Sequence, residues 1–224
     1  MIFYAGDTHG RTLGIIAIDN AARRLGVQVV VQTGDFGAFF QEENEGCQVV
    51  NYFNQRRPGG PVWYTCGGNH DNWPYWNYLA AGSNEPVELA KDCYFVPRGG
   101  CIELDGVKHV FFGGAESTDE PSRVEGLDWH REETPTVAET NRFFANIDTY
   151  QPEVVVTHEA PLRIQIRKMN RDSNPTPRNL ENVCKHMTHK PRAWFFGHHH
   201  MVEKWTVDGV DFYCTGLEGA YVAR

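Results

Sequence analysis

Short apolar runs recur along this chain, and most are closed by a cluster of polar residues set among glycines. Residues 1–5, 27–32, 61–65, 154–156 and 193–196 are rich in β-branched and aromatic side chains. Runs of that length and content predict buried strands. The clusters are Gly6-Asp7-Thr8-His9-Gly10, Gly34-Asp35-Phe36-Gly37, Gly68-Asn69-His70-Asp71, Thr157-His158-Glu159-Ala160-Pro161 and Gly197-His198-His199-His200. Parallel strands of an open α/β sheet deliver the side chains that follow them to one edge, where ligands bind. Residues almost two hundred positions apart can meet there.

Between these runs the period changes. Residues 12–26 predict a helix with Leu13, Ile16, Ala17, Ala21 and Leu25 on its apolar face and Gly26 near its end. Residues 42–57 predict a second helix ahead of Pro58-Gly59-Gly60. The result is a β-α-β-α-β start, and right-handed crossovers place the Asp7, Asp35 and Asn69 loops along one edge. Residues 94–96, 101–104 and 108–112 predict short strands with a hairpin turn at Asp105-Gly106, so the sheet becomes mixed or antiparallel there. Helices over 136–147 and 179–189 lead into the last two apolar runs. A hairpin of 204–207 and 210–214 around Asp208-Gly209 closes the order, which fits two packed sheets covered by helices.

Composition narrows the class. The chain has 224 residues, 41% of them hydrophobic, enough for one sizeable domain over residues 1–224. No stretch approaches the ~20 apolar residues of a membrane span. The first residues lack a basic segment followed by a long apolar one, so a soluble cytoplasmic protein is expected. Six scattered cysteines without a CxxC pair suit reduced, buried thiols. A net charge of -8 argues against a membrane partner and against an extended nucleic-acid surface. Oligomeric state is left open.

The clusters offer aspartate, histidine and asparagine donors and no thiolate, a set suited to Mn, Fe, Zn, Co or Ni. Taken in order, they resemble the calcineurin-like metallophosphoesterase superfamily, with its DxH, GD, GNH plus acid, later His, and GHxH. The likeness runs from Asp7 to His200 and is nearest to small bacterial and phage-type members. It implies an α/β fold, a four-layer α-β-β-α sandwich with two mixed β-sheets. It also implies a metal-dependent phosphoesterase acting on a small phosphorylated substrate, a phosphomonoester or small phosphodiester.

On the superfamily pattern two divalent ions, manganese foremost, are held by Asp7, His9, Asp35 and His200 on one side and by Asp35, Asn69, His158 and His198 on the other. Asp35 then bridges ions ~3.5–4 Å apart, and a hydroxide shared between them attacks phosphorus. His70 is the expected general acid for the leaving oxygen, since an imidazole of pKa near ~6.5 donates readily and typically contributes ~10²–10⁴ in rate. Arg11 and Arg123, the latter in a polar loop over residues 116–133, are expected to grip phosphate oxygens. His199, the spacer of GHxH, is expected to point away from the ions. His109, His130, His186 and His189 are assigned to surface or core roles. The basic stretch 163–171 is expected to be a solvated loop or a lid over an anionic substrate.

Two departures from the superfamily's protein serine/threonine phosphatases stand out. Their GD cluster continues with an Asp that orients the catalytic His and an Arg that grips phosphate, whereas Phe36-Gly37-Ala38-Phe39-Phe40 stands here. Asp71 replaces their Glu and, lying next to His70 in the chain, is not expected to orient it. Alternative functions are a nucleotide phosphodiesterase or nuclease on the same core, or a non-catalytic interaction module with a structural metal site.

Overall fold

A computed structural model describes residues 1–38, 47–166 and 171–223. Ten strands of its two six-stranded sheets follow from the strand signals, whose bounds shift by no more than two residues. The first runs β12 (Ala220–Ala223), β1 (Ile2–Ala5), β2 (Val29–Gln32), β3 (Val62–Thr65), β5 (Cys93–Phe95) and β4 (Val87–Ala90), with β1, β2, β3 and β5 parallel. The second runs β10 (Glu203–Val207), β11 (Val210–Cys214), β9 (Ala193–Phe196), β8 (Val154–Thr157), β7 (Val107–Phe112) and β6 (Cys101–Leu104). Its β11, β9, β8 and β7 are parallel, with antiparallel strands at both edges.

Successive strand residues face opposite ways, and the buried side chains sort into three apolar layers accordingly. Ile2, Tyr4, Val31, Val156 and Phe195 fill the space between the sheets. Phe3, Val30 and Trp63 pack outward with Ile15, Phe53 and Trp76 of α1 (Thr12–Leu25), α2 (Gln48–Gln55) and α3 (Trp73–Ala80). Val155 and Trp194 pack outward with Phe143 of α4 (Val137–Tyr150) and Leu180 of α5 (Pro175–His186). Three apolar layers between four tiers of structure make this an α-β-β-α sandwich. Both hairpin turns use a left-handed Asp-Gly pair, with φ of 50° and 75° at Asp105-Gly106 and 53° and 81° at Asp208-Gly209.

Several helices differ from expectation. The buried face of α1 is Ile15, Ile18, Asp19 and Ala22, while Leu13 is 82% exposed. The buried Asp19 interrupts the apolar stripe and makes the neighbouring stripe look like the core face. The α5 helix begins at Pro175, because a proline in the first turn gives up no intrahelical hydrogen bond. The α2 helix covers Gln48–Gln55; residues 42–46 of the expected helix lie outside the described residues. Neither α3, aromatic and proline-bearing, nor the edge strands β4 and β12 were expected. Among the described residues no helix is long and apolar enough to cross a membrane.

Candidate metal centre

The five clusters meet at the carboxyl ends of β1, β2 and β3 in one sheet and of β8 and β9 in the other. Asp71 ties two of the loops together. Its buried carboxylate accepts the backbone N–H groups of Gly68 at 2.7 Å, Gly37 at 2.7 Å and Phe36 at 3.1 Å. Gly68 lies so close to Asp35 that a methyl group there would overlap its carboxylate. His9, Asp35, His198 and His200 adopt positive φ angles of 47°, 53°, 65° and 51°. A left-handed residue with a side chain costs ~1–2 kcal/mol. Strain of this kind gathers where surrounding structure holds side chains in an imposed arrangement.

Asp35 belongs to two groups of converging donors, His9-Asp35-His70 and Asp35-His158-His198, within each of which the ligand atoms lie within 4.8 Å of one another. His9 and His200 bring their Nε2 atoms to 3.0 Å, and His9 Nε2 is 3.6 Å from Asp35 Oδ2. His158 Nε2 is 3.0 Å from Asn69 Oδ1 and 3.4 Å from Asp35 Oδ1. Its Nδ1 donates to the Thr33 carbonyl at 2.8 Å. Asp7 stands outside both groups. Its Oδ1 accepts the His198 N–H at 3.0 Å and lies 3.7 Å from His158 Nδ1.

The electrostatics call for positive charge. Among the described residues the ion-pair partners of the buried Asp7 and Asp35 are histidines. The buried Asp7 Oδ2 has no hydrogen-bond partner. Burial pushes the Asp7 carboxyl up to about 7, with Asp35 adding to the rise. Burial opposes charge on His158 too, yet the Asp35 and Asp7 carboxylates outweigh it and raise the ring to about 10. Asp35 itself is held low: burial works against its charge, but His158 prevails. Burial lowers His198 to about 3 and His9 to about 4, and holds His70 and His200 below the usual imidazole range. Four imidazoles held neutral, a fifth that is charged only because two carboxylates face it, and an Asp7 oxygen without a partner form a nitrogen and oxygen donor set that fits divalent metal ions.

Support for the centre comes in part from residues outside the clusters, Ser117, Glu133 and Arg171. Asn69 donates from Nδ2 to Ser117 Oγ at 3.0 Å. Ser117 gives its backbone N–H to Glu133 Oε1 at 2.6 Å and its hydroxyl to Glu133 Oε2 at 2.8 Å. Burial lifts Glu133 to about 7 against the pull of those two donors. His199 Nε2 meets the buried Glu159 Oε1 at 2.7 Å, and Arg171 Nη2 meets the same oxygen at 2.9 Å. Ser117 and Glu133 lie outside every motif, whereas Asp71 and Glu159 lie inside two of the clusters without a supporting role having been expected of them.

The arginines part company. Arg123 places Nη2 3.4 Å from His70 Nε2, anchored by Asp119 at 2.7 Å and the Asp128 carbonyl at 2.8 Å. Arg11 is 56% exposed and sits 3.5 Å from Glu218 at the rim. In the basic stretch Arg163 pairs with Glu181 at 3.1 Å and Asp208 at 2.8 Å, and Arg171 is buried against Glu159. These two ends of the stretch are folded into the protein, not solvated or free to close as a lid. Residues 167–170 lie outside the described residues.

Among curated proteins, none matches the sequence. Solved structures share the fold at low identity. TT1561 of Thermus thermophilus is 14% identical with a TM-score of 0.58, the alignment covering 97% of this chain and 89% of that one. The phosphopantetheinyl hydrolase of Mycobacterium tuberculosis is 16% identical with a TM-score of 0.50, covering 97% and 90%. GAP50, the anchor in the inner membrane complex of Plasmodium, is 11% identical with a TM-score of 0.55, covering 96% and 71%. The calcineurin-like phosphoesterase model matches residues 2–202, from the first strand past the last histidine of GHxH. That span takes in all five clusters, and the chain therefore belongs to the calcineurin-like phosphoesterase family, a family of phosphoester hydrolases.

Proposed function

We propose that this protein is a dinuclear metal-dependent phosphoesterase that hydrolyses a phosphomonoester or small phosphodiester. One ion would be held by Asp7, His9, Asp35 and His200, the other by Asp35, Asn69, His158 and His198. The observation that carries this reading is the sharing of the Asp35 carboxylate between two groups of converging donors. When bound, the ions supply Lewis acidity, acidifying water and neutralising charge on the phosphoryl oxygens.

The chain's own residues do the rest. The Thr33 carbonyl accepts a hydrogen bond from His158 Nδ1–H, which keeps the proton on Nδ1 and leaves Nε2 facing Asn69 and Asp35. Low pKa values keep His9 and His198 neutral, with lone pairs available. Asp35 also holds the His70 backbone N–H at 2.8 Å, so the acid is pinned to the bridging carboxylate. His70 protonates the leaving oxygen. Arg123, whose guanidinium lies beside that ring, binds a non-bridging oxygen and presents the ester to His70.

Hydrolysis of p-nitrophenyl phosphate and of bis-p-nitrophenyl phosphate with Mn(II) tests the proposal. The wild-type protein is expected to turn over at least one of them. His70→Ala is expected to keep its metal and to lose ~10²–10⁴ in rate. Absence of turnover on both esters would remove the enzymatic reading. Unchanged turnover by metal-loaded His70→Ala would remove the acid.

A further inference from the structure

Asn69 carries an oxygen at one end of its amide and an NH₂ at the other, and only the oxygen can face a cation. The two ends have nearly the same shape, so packing alone does not choose between them. Hydrogen-bond polarity does. The Ser117 hydroxyl has one hydrogen, and with Glu133 ionised that hydrogen is given to Oε2 at 2.8 Å. With its hydrogen committed, Ser117 Oγ can only accept, and at 3.0 Å it accepts from Asn69 Nδ2. Glu133 Oε1 meanwhile takes the Ser117 backbone N–H at 2.6 Å, which fixes the serine from a second side. All three residues are buried, so a polar group that loses its partner there is left at a cost.

From this chain of bonds we infer that Glu133 and Ser117 are positioning residues that set the direction of the Asn69 amide and hold Oδ1 toward the metal centre. The 3.0 Å approach of Asn69 Oδ1 to His158 Nε2 lies on the side that this polarity requires. The inference rests on Asn69 being a metal ligand, as proposed above. Neither Ser117 nor Glu133 touches the centre. Ser117 follows β7 closely, and Glu133 closes the loop that carries Arg123, on a single turn of 3-10 helix over Arg131–Glu133. The base of the arginine loop and the orientation of Asn69 are therefore one hydrogen-bonded unit.

The relay makes a prediction about direction that a purely structural role does not. A glutamine at position 133 can offer N–H to Ser117 Oγ, which frees the hydroxyl hydrogen to point at residue 69 and favours the flipped amide. Mn(II) binding, followed by the electron paramagnetic resonance of free Mn(II), reads the consequence without reference to activity. Glu133→Gln and Ser117→Ala are each expected to weaken one bound ion by ~10–100-fold. Asn69→Asp alone is expected to weaken it as well, because one hydroxyl hydrogen cannot serve two carboxylates.

The double variant Asn69→Asp/Glu133→Gln reverses every bond in the chain consistently and is expected to bind more tightly than either single variant. Independently, Ser117→Ala is expected to cost nothing further in the Asn69→Asp background, where no amide remains to be oriented. Additive losses in the first pair and an equal Ser117→Ala penalty in both backgrounds would overturn the relay, as would single variants that bind like wild type. Should Glu133→Gln not fold, the Ser117→Ala comparison decides alone. Wild-type protein that binds no Mn(II) would instead overturn the metal reading on which the relay rests.

Discussion

Two buried carboxylate sites flank the same sheet, and they are solved in opposite ways. Asp19 on α1 accepts from Arg23 Nε at 2.7 Å, Arg56 Nη1 at 2.5 Å, Tyr52 Oη at 3.0 Å and Trp63 Nε1 at 3.3 Å. Both of its oxygens are satisfied by permanent cations and neutral donors. Asp7 and Asp35, at the other end of the strands, have only titratable histidines for ion-pair partners among the described residues, and Asp7 Oδ2 has none. A carboxylate completed by arginine belongs to the architecture. Carboxylates left short of charge, Asp7 by an unpartnered oxygen and Asp35 on a backbone at positive φ, suit a cation.

That contrast is sharpest at Asp35. Asp35→Asn keeps the shape and still accepts the His70 N–H, but removes the charge shared between the two donor groups. Lewis-acid stabilisation is worth several kcal/mol, so kcat/KM with Mn(II) is expected to fall by roughly 10³-fold or more. Asp35 also holds the buried His158 charged, so the metal-free protein is expected to lose stability as well, relieved only in part by the end of repulsion with Asp7. Unchanged Mn(II) affinity in Asp35→Asn would mean that Asp35 is architectural, as Asp19 is.

Asp19→Ala should behave in reverse. It strands the buried Arg56 guanidinium, and breaking a buried ion pair typically costs ~3–5 kcal/mol. Chemical denaturation is expected to show that loss, while the folded protein keeps its Mn(II) affinity. Weakened metal binding without destabilisation would erase the distinction between the two sites.

These sites were not equally legible in the sequence. The centre announced itself because the donors closely follow strands and most stand among glycines, a local pattern that survives without coordinates. Asp19 did the opposite. Its charge broke the apolar stripe of α1, so the stripe through Leu13 and Leu25 looked like the core face, although Ile15, Ile18 and Ala22 are the residues that pack. The helix expected over 179–189 begins earlier, with Pro175 and Pro177 in the first turn of α5. Asp71, Ser117, Glu133 and the buried Arg171 act through hydrogen bonds to distant residues or to backbone, and such bonds leave no periodicity to read. The sequence therefore pointed to the proposed donors but not to what aims them.

A third buried polar pair extends the comparison to a site that is satisfied without any charge. Between the sheets, His109 Nδ1 lies 2.8 Å from the Val107 carbonyl, which can only accept, so Nδ1 carries the proton. Nε2 is then the acceptor for Tyr4 Oη at 2.7 Å. Burial lowers His109 to about 4. Below its usual value of ~6.5 the unfolded chain binds a proton that the folded one refuses. The stabilisation is therefore fully present above pH ~6.5 and is lost as pH falls through about 4, on the order of 3 kcal/mol in all. His109→Gln keeps an acceptor for Tyr4 and does not titrate. The pH dependence of its unfolding free energy is expected to be shallower by that amount, with His9 and His198 contributing equally to both proteins.

The same criterion separates the two arginines proposed to meet substrate, where the smallest effects are expected. Arg123 is largely buried, has an unpartnered Nε and lies against His70. An under-satisfied guanidinium at that place has hydrogen bonds left to give, and bonds to charged groups are worth ~1.5–3 kcal/mol. Arg123→Ala is expected to lower kcat/KM by about 10–100-fold, the equivalent of that energy. Arg11 is exposed, and its nearest ion-pair partner is Glu218. Surface pairs contribute ~0–1 kcal/mol, so Arg11→Ala is expected to change kcat/KM by less than about five-fold. If Arg11→Ala proved the more damaging variant, phosphate would have to enter from the Glu218 side of the centre, and unmet hydrogen-bonding capacity would not be what marks a functional residue here.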